Sequence, residues 1–159
     1  DITSDGTANF TPVSLSIPFR INSIGYRVTD NFIYGINQSS HRLYRIDATG
    51  TATELAQLTL SNSTNYVAGD LTPDGNFLVV VGKLGGDPNN PSNELMLIDL
   101  NSPTYEATRV PLIDFATGAP NANVNVADIG FNPISGVCYA YDSTNKRLVT
   151  IDLNTGAIN

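Results

Sequence analysis

Ala68-Gly69-Asp70-Leu71-Thr72-Pro73-Asp74-Gly75-Asn76-Phe77-Leu78-Val79-Val80, followed by Leu95-Met96-Leu97-Ile98-Asp99, is the stretch that decides the fold. It reads as a short strand, a Pro-Asp-Gly reversal, a β-branched strand, a polar loop and a third strand closing on Ile-Asp. The pattern recurs on both sides. Upstream stand Ser23-Ile24-Gly25-Tyr26-Arg27-Val28-Thr29-Asp30-Asn31-Phe32-Ile33-Tyr34-Gly35 and then Leu43-Tyr44-Arg45-Ile46-Asp47. Downstream stand Asp128-Ile129-Gly130-Phe131-Asn132-Pro133-Ile134-Ser135-Gly136-Val137-Cys138-Tyr139-Ala140-Tyr141-Asp142 and then Leu148-Val149-Thr150-Ile151-Asp152. The Ile-Asp pairs at 46–47, 98–99 and 151–152 follow one another at 52 and 53 residues. A fixed period of that length is the mark of a repeat architecture.

After each of the first two Ile-Asp pairs comes a turn and a weaker fourth strand, Thr51 to Leu60 and Tyr105 to Pro111. Four antiparallel strands per repeat is the unit of a propeller. The expectation is therefore an all-β, β-propeller-like fold of three consecutive four-stranded blades, in one domain over 1–159. Blade 1 covers 21–60, blade 2 covers 66–111, and blade 3 covers 126–159 and lacks its outer strand. Residues 7–17, with Val13, Leu15 and Ile17 alternating, read as the outer strand of a closing blade. Three blades do not close around an axis, since propellers use about four to eight. Two readings stay open: a partial ring completed by blades outside this sequence, or half of a ring made by more than one chain.

Length and composition bound the rest. The chain has 159 residues, and its charged content of 14% lies beneath a hydrophobic content of 41%, as in a folded globular domain. Eight Lys and Arg against 15 Asp and Glu leave a net charge of -7, the wrong sign for a nucleic-acid surface. The longest apolar run, Phe77 to Val81, is one strand in length, so no membrane span is expected. Asn, Thr and Ser number 18, 16 and 12, with Lys only at 83 and 146, a skew that points to a secreted or cell-surface protein. The start Asp1-Ile2-Thr3-Ser4 carries neither Met nor a signal-peptide pattern, so the sequence reads as a processed or trimmed chain. A single Cys138 excludes an internal disulfide and reads as a buried, inert thiol.

The recurring Ile-Gly-Tyr, Ala-Gly-Asp and Asp-Ile-Gly-Phe-Asn-Pro starts, each with its Leu-x-x-Ile-Asp ending, resemble a family of propeller-like domains of unknown function in microbial secreted and surface proteins. The resemblance covers about residues 20 to 156 and rests on turn and core positions. It implies further blades and no particular activity or site residues.

The chemistry-bearing residues are few. No catalytic or metal-binding set is expected, and no cofactor. His41, the one histidine, reads as a solvated loop residue; Asp47, Asp99 and Asp152 recur at one blade position and read as turn caps. Asp70 and Asp128 fall on innermost strands, where side chains of several blades converge on the axis. Tyr26, Tyr34, Phe77, Phe131 and Tyr139 read as core. Loop length is confined to one face: 61–66, 83–93 and 114–125 exceed what a reversal needs. The residues expected to face a protein or glycan ligand are Asp70, Asp128, Asn62, Asn65, Asp87, Asn89, Asn90, Asn121 and Asn123. Asn37 and Asn62 start N-glycosylation sequons. The function these observations favour is a non-enzymatic structural, adhesive or binding module; the alternative is a hydrolase or lyase with its site at the axis.

Overall fold

A computed structural model describes residues 17–60, 64–84, 90–114, 116–119 and 124–159, the side chains of Thr64 and Leu84 excepted. These form strands β1 (Ile21–Arg27), β2 (Phe32–Asn37), β3 (Arg42–Ile46), β4 (Ala52–Gln57), β5 (Thr64–Leu71), β6 (Phe77–Leu84), β7 (Ser92–Asp99), β8 (Ala107–Pro111), β9 (Ile113–Asp114), β10 (Val126–Phe131), β11 (Cys138–Asp142), β12 (Arg147–Ile151) and β13 (Ala157–Ile158). Among the described residues there is no helix. Three sheets follow the repeat: β1-β2-β3-β4, β5-β6-β7-β8 and β10-β11-β12-β13-β9. They are blades 1, 2 and 3 of a propeller-like fold, and the described residues do not close a ring.

Local chemistry explains the strand ends. Asp47 Oδ1 accepts the backbone N–H groups of Thr49 and Thr51, Asp99 Oδ1 those of Asn101 and Ser102, and Asp152 Oδ1 those of Asn154 and Thr155. An Asp ends each third strand because its short carboxylate satisfies turn amides that no ladder partner reaches. These caps hold the Asp47 and Asp152 carboxyls below the usual range: the Thr49 hydroxyl is the main donor at Asp47, the Thr155 amide at Asp152. Each innermost strand also shifts register once, between Asn22 and Gly25, Tyr66 and Ala68, and Val126 and Asp128. In blades 2 and 3 the bulge falls at equivalent positions, opposite Val81–Gly82 and Tyr141–Asp142, and in blade 1 one step along, opposite Tyr34–Ile36, so each inner strand bends near the same point.

The core lies between the sheets. Blade 1 presents Tyr34, Ile36 and Leu43 to Leu78, Val80, Met96 and Ile98 of blade 2. The other side of blade 2, Val79, Val81 and Leu95, meets Cys138, Ala140, Val149 and Ile151 of blade 3. Strict alternation along β6 thus feeds two different interfaces, which is why Leu78-Val79-Val80-Val81 is apolar at every position. The inner strands approach so closely that a Cβ on Gly69 would stand 2.7 to 2.8 Å from Ser23 backbone atoms.

Several expectations need correcting. The edge of blade 3 is not bare: Ile158 pairs with Ile151, and β9 adds a parallel pairing, Ala157 with Ile113 and Ile158 with Asp114. The chain leaving β8 reaches over to blade 3, where Ile113 N donates to Gly156 O. Tyr34 is buried as expected, and Phe77 and Phe131 pack against the blade 2 and 3 core, but Tyr26 and Tyr139 are half exposed. They lie on outward blade faces that no described residue covers. Of the closing strand 7–17, all but Ile17 lies outside the described residues.

Candidate functional site

The three innermost strands run side by side, and between them opens a groove of about 510 Å³ lined by Asn22, Ser23, Asp70, Asp128 and the bulge residues Val67 and Ala127. This is the axial site the sequence points to. Its carboxylates have work of their own. Asp70 Oδ1 accepts the N–H of Leu71 at 2.8 Å, and Oδ2 accepts that of Phe131 at 3.1 Å, across the gap to blade 3. Asp128 Oδ1 accepts Ile129 N–H at 2.9 Å. Innermost strands are sheet edges with unpaired amides, and these two residues cap them. Asp70 is thus a clamp between blades 2 and 3. Among the described residues no three His, Cys, Asp or Glu come together to hold a metal ion. Cys138 is buried, and burial, with the Asp70 charge as a smaller cause, pushes its thiol up to about 12. A thiol so shifted is not a nucleophile near neutral pH.

The long-loop face is only partly described. Asn62, Asp87, Asn89, Asn121 and Asn123 lie outside the described residues. Asn90 is half-buried, and Asn65 is tied to blade 1, its Oδ1 accepting Gln38 Nε2 at 3.2 Å. Asn37 is buried, and its Oδ1 accepts the N–H groups of Ser39 and Ser40 at 2.9 and 3.2 Å. The side chain of that sequon is a turn cap turned into the fold. Asp142 is its counterpart in blade 3, accepting the amides of Thr144 and Asn125 and the side chains of Asn145 and Arg147. Burial pushes the Asp142 carboxyl up, but these donors outweigh it and hold the group below the usual range.

Beneath this face lies a polar cluster that sequence reasoning missed. Tyr66 OH donates to Glu94 Oε1 at 2.9 Å, and Arg109 Nε donates to Glu94 Oε2. The His41 ring stands edge-on to Tyr66, centroids 5.7 Å apart and planes at 86°. His41 is therefore not the solvated loop residue expected: its turn packs it on the neighbouring blade, and burial lowers its pKa from 6.5. A tyrosine, a carboxylate and a histidine together resemble an acid–base set. Tyr66 and Glu94 are fully buried, however, and both Glu94 oxygens accept hydrogen bonds. The cluster's hydrogen bonds tie three strands of blade 2 together, and the His41 ring contact on Tyr66 is its link to blade 1. The one sequence signal for it is a charged residue inside the apolar run of β7, Glu94-Leu95-Met96-Leu97.

A family model described as a repeat of unknown function (DUF6923) matches residues 1–159. No curated protein matches the chain. Among solved structures, virginiamycin B lyase from Staphylococcus aureus is similar with TM-score 0.61 and 17% identity, over 99% of this chain and 46% of that one. A protein from Lactobacillus plantarum is similar with TM-score 0.59 and 17% identity, over 97% and 47%. A protein of unknown function from Bacteroides caccae is similar with TM-score 0.53 and 15% identity, over 89% and 45%. At these identities the likeness is one of fold. The chain spans less than half the length of each of these structures.

Proposed function

The chain belongs to this family of repeats of unknown function, and from that premise we propose that it is a non-enzymatic, secreted or cell-surface propeller module that meets a protein or glycan through its long-loop face. The observation that carries this reading is the engagement of Asp70: both carboxylate oxygens serve backbone amides, one in each of two blades. A group so committed supports the blades and not a reaction. The segments 61–66, 83–93 and 114–125 are rich in Asn, Gly and Pro and carry few charges. Contacts there would be hydrogen bonds to amides and backbone, with weak dependence on salt.

The test is binding to an array of polysaccharides and oligosaccharides by the chain and by a variant in which residues 85–91 are replaced by Asn-Gly. That replacement spares Lys83, which donates to Asn125, and Ser92, whose Oγ accepts Val126 N–H. Binding that the variant loses, with an unchanged circular-dichroism spectrum, is the expected result; binding unaffected by the replacement would refute the assignment of this face. Turnover of any arrayed polysaccharide that is abolished by Asp128→Asn would replace this reading with the hydrolase or lyase one.

A further inference from the structure

The inner strands bulge near one level, and the bulge residues wall the axial groove: Ser23 and Ile24 in β1, Val67 in β5 and Ala127 in β10. A bulge turns a residue out of the ladder and leaves its peptide groups unpaired by the neighbouring strand. Of the four only Ser23 has a positive φ, +51°, which is unfavourable for a residue with a side chain. It is 1% exposed, and Gly69 of the next blade packs on its backbone, so this enclosure is internal to the chain. The Ser23 hydroxyl, set in the groove wall, has no hydrogen-bond partner among the described residues. A buried hydroxyl left unpaired is destabilising, and such groups are few in folded proteins.

We propose that this groove is the binding site for one uncharged sugar unit of a glycan. The proposal rests on the glycan reading given above and names the place where the sugar sits. The chain joins the groove to the long loops: segments 61–66 and 114–125 lead into β5 and β10, whose residues Val67 and Ala127 line it. Its polar groups suit a polyol. The Ser23 hydroxyl and the Asn22 amide each donate and accept, and Asp128 spends Oδ1 on the Ile129 amide, which leaves Oδ2 to accept from a sugar hydroxyl. Ile24, half exposed, offers the C–H face of a ring an apolar surface beside them. At about 510 Å³ the groove is within the range of small-molecule sites, about 300 to 1,000 Å³. A charged ligand fits less well. The Asp70 and Asp128 carboxylates repel an acidic sugar, and no three His, Cys, Asp or Glu gather to hold a metal ion among the described residues.

The experiment is amide NMR of the 159-residue chain titrated with glucose, galactose, mannose, N-acetylglucosamine, cellobiose, maltose and lactose. At least one sugar is expected to shift, saturably, the amides of Ser23, Gly69 and Asp128. Ser23→Ala should weaken that sugar about tenfold and Asp128→Asn about fivefold, through loss of a neutral partner and of the charge on another. Circular dichroism checks that both variants are folded, and Asp128→Asn, at an exposed position, serves alone if Ser23→Ala is not. No saturable shift from any of these sugars would overturn the proposal, as would an affinity that the folded variants leave unchanged. So would calcium chloride shifting the same amides when no sugar does, the behaviour of a cation site. The variant with residues 85–91 replaced by Asn-Gly separates this site from the loops. Sugar shifts at the groove that it retains uphold the groove whatever the array shows. Array binding that it loses, with no sugar shift at the groove, overturns the groove and leaves the loop face standing.

Discussion

Leu43, Leu95 and Leu148 occupy one position in three consecutive blades, so the same substitution at each measures what the neighbouring blade contributes. Leu43 and Leu95 are 0% exposed, sealed in the two cores between blades, and Leu148 is 73% exposed. Truncating a fully buried leucine to alanine removes its transfer free energy and leaves a cavity, at a cost of about 2 to 5 kcal/mol. Full burial of a leucine side chain is worth about 1.5 to 3 kcal/mol, and Leu148 retains only about a quarter of it, so Leu148→Ala should cost about 0.4 to 0.8 kcal/mol. Urea unfolding followed by circular dichroism reads the three values, at protein concentrations low enough to keep the chain monomeric. The midpoints should fall strongly for Leu43→Ala and Leu95→Ala and slightly for Leu148→Ala, with the slope against urea unchanged. A loss at Leu148 equal to that at Leu95 would refute the exposure of that face of blade 3. A near-neutral Leu43→Ala would refute the stacking of blade 1 on blade 2.

Gly156→Ala should destabilise the edge of blade 3 by well over 1 kcal/mol, measured by the same urea titration. Its φ of +74° is in the left-handed region, where an L-residue costs about 1 to 2 kcal/mol, and the added Cβ would run into the Pro111 carbonyl. Stability should fall as pH drops through 6.5. Burial lowers His41 from that value, so the unfolded chain takes the proton first, and stability is full above 6.5 and lost below it. His41→Phe, which keeps an edge contact with Tyr66, should flatten the profile between about pH 7 and 5. Cys138, with its thiol pushed up to about 12, should resist a disulfide-exchange reagent at pH 8 while the chain is folded and react fully in urea; prompt reaction of the folded chain would place that strand differently.

The blades were legible because what defines them is local. Pro73, Gly75, Pro133 and Gly136 mark the inner reversals, and the Ile-Asp pairs put a cap at the end of each third strand. The features that escaped are those made by distant parts of the chain. Asp70 reaches Phe131 across 61 positions, and nothing around either residue announces the clamp. Tyr66, Glu94 and Arg109 come from three strands of blade 2 and meet only once its sheet is paired, and His41 joins them only once blade 1 is stacked on it. The pairing of Ile113–Asp114 with Ala157–Ile158 is too short to leave a periodic trace. Tyr139 has the pattern of a buried strand residue because the pattern records what a blade face needs; whether a neighbour is present to cover it is a property of the assembly.

The central claim is an arc of three blades in which blade 2 is covered on both faces and blades 1 and 3 on one each. Amide hydrogen exchange of the monomeric chain, resolved by strand, tests it most directly, because protection follows the depth of burial and the cooperativity of each unit. The account predicts that β6 and β7 exchange slowest, by opening of the whole arc, and that β11 and β12 exchange earlier by local opening of blade 3. Protection of β11 and β12 equal to or greater than that of β6 and β7 would contradict it.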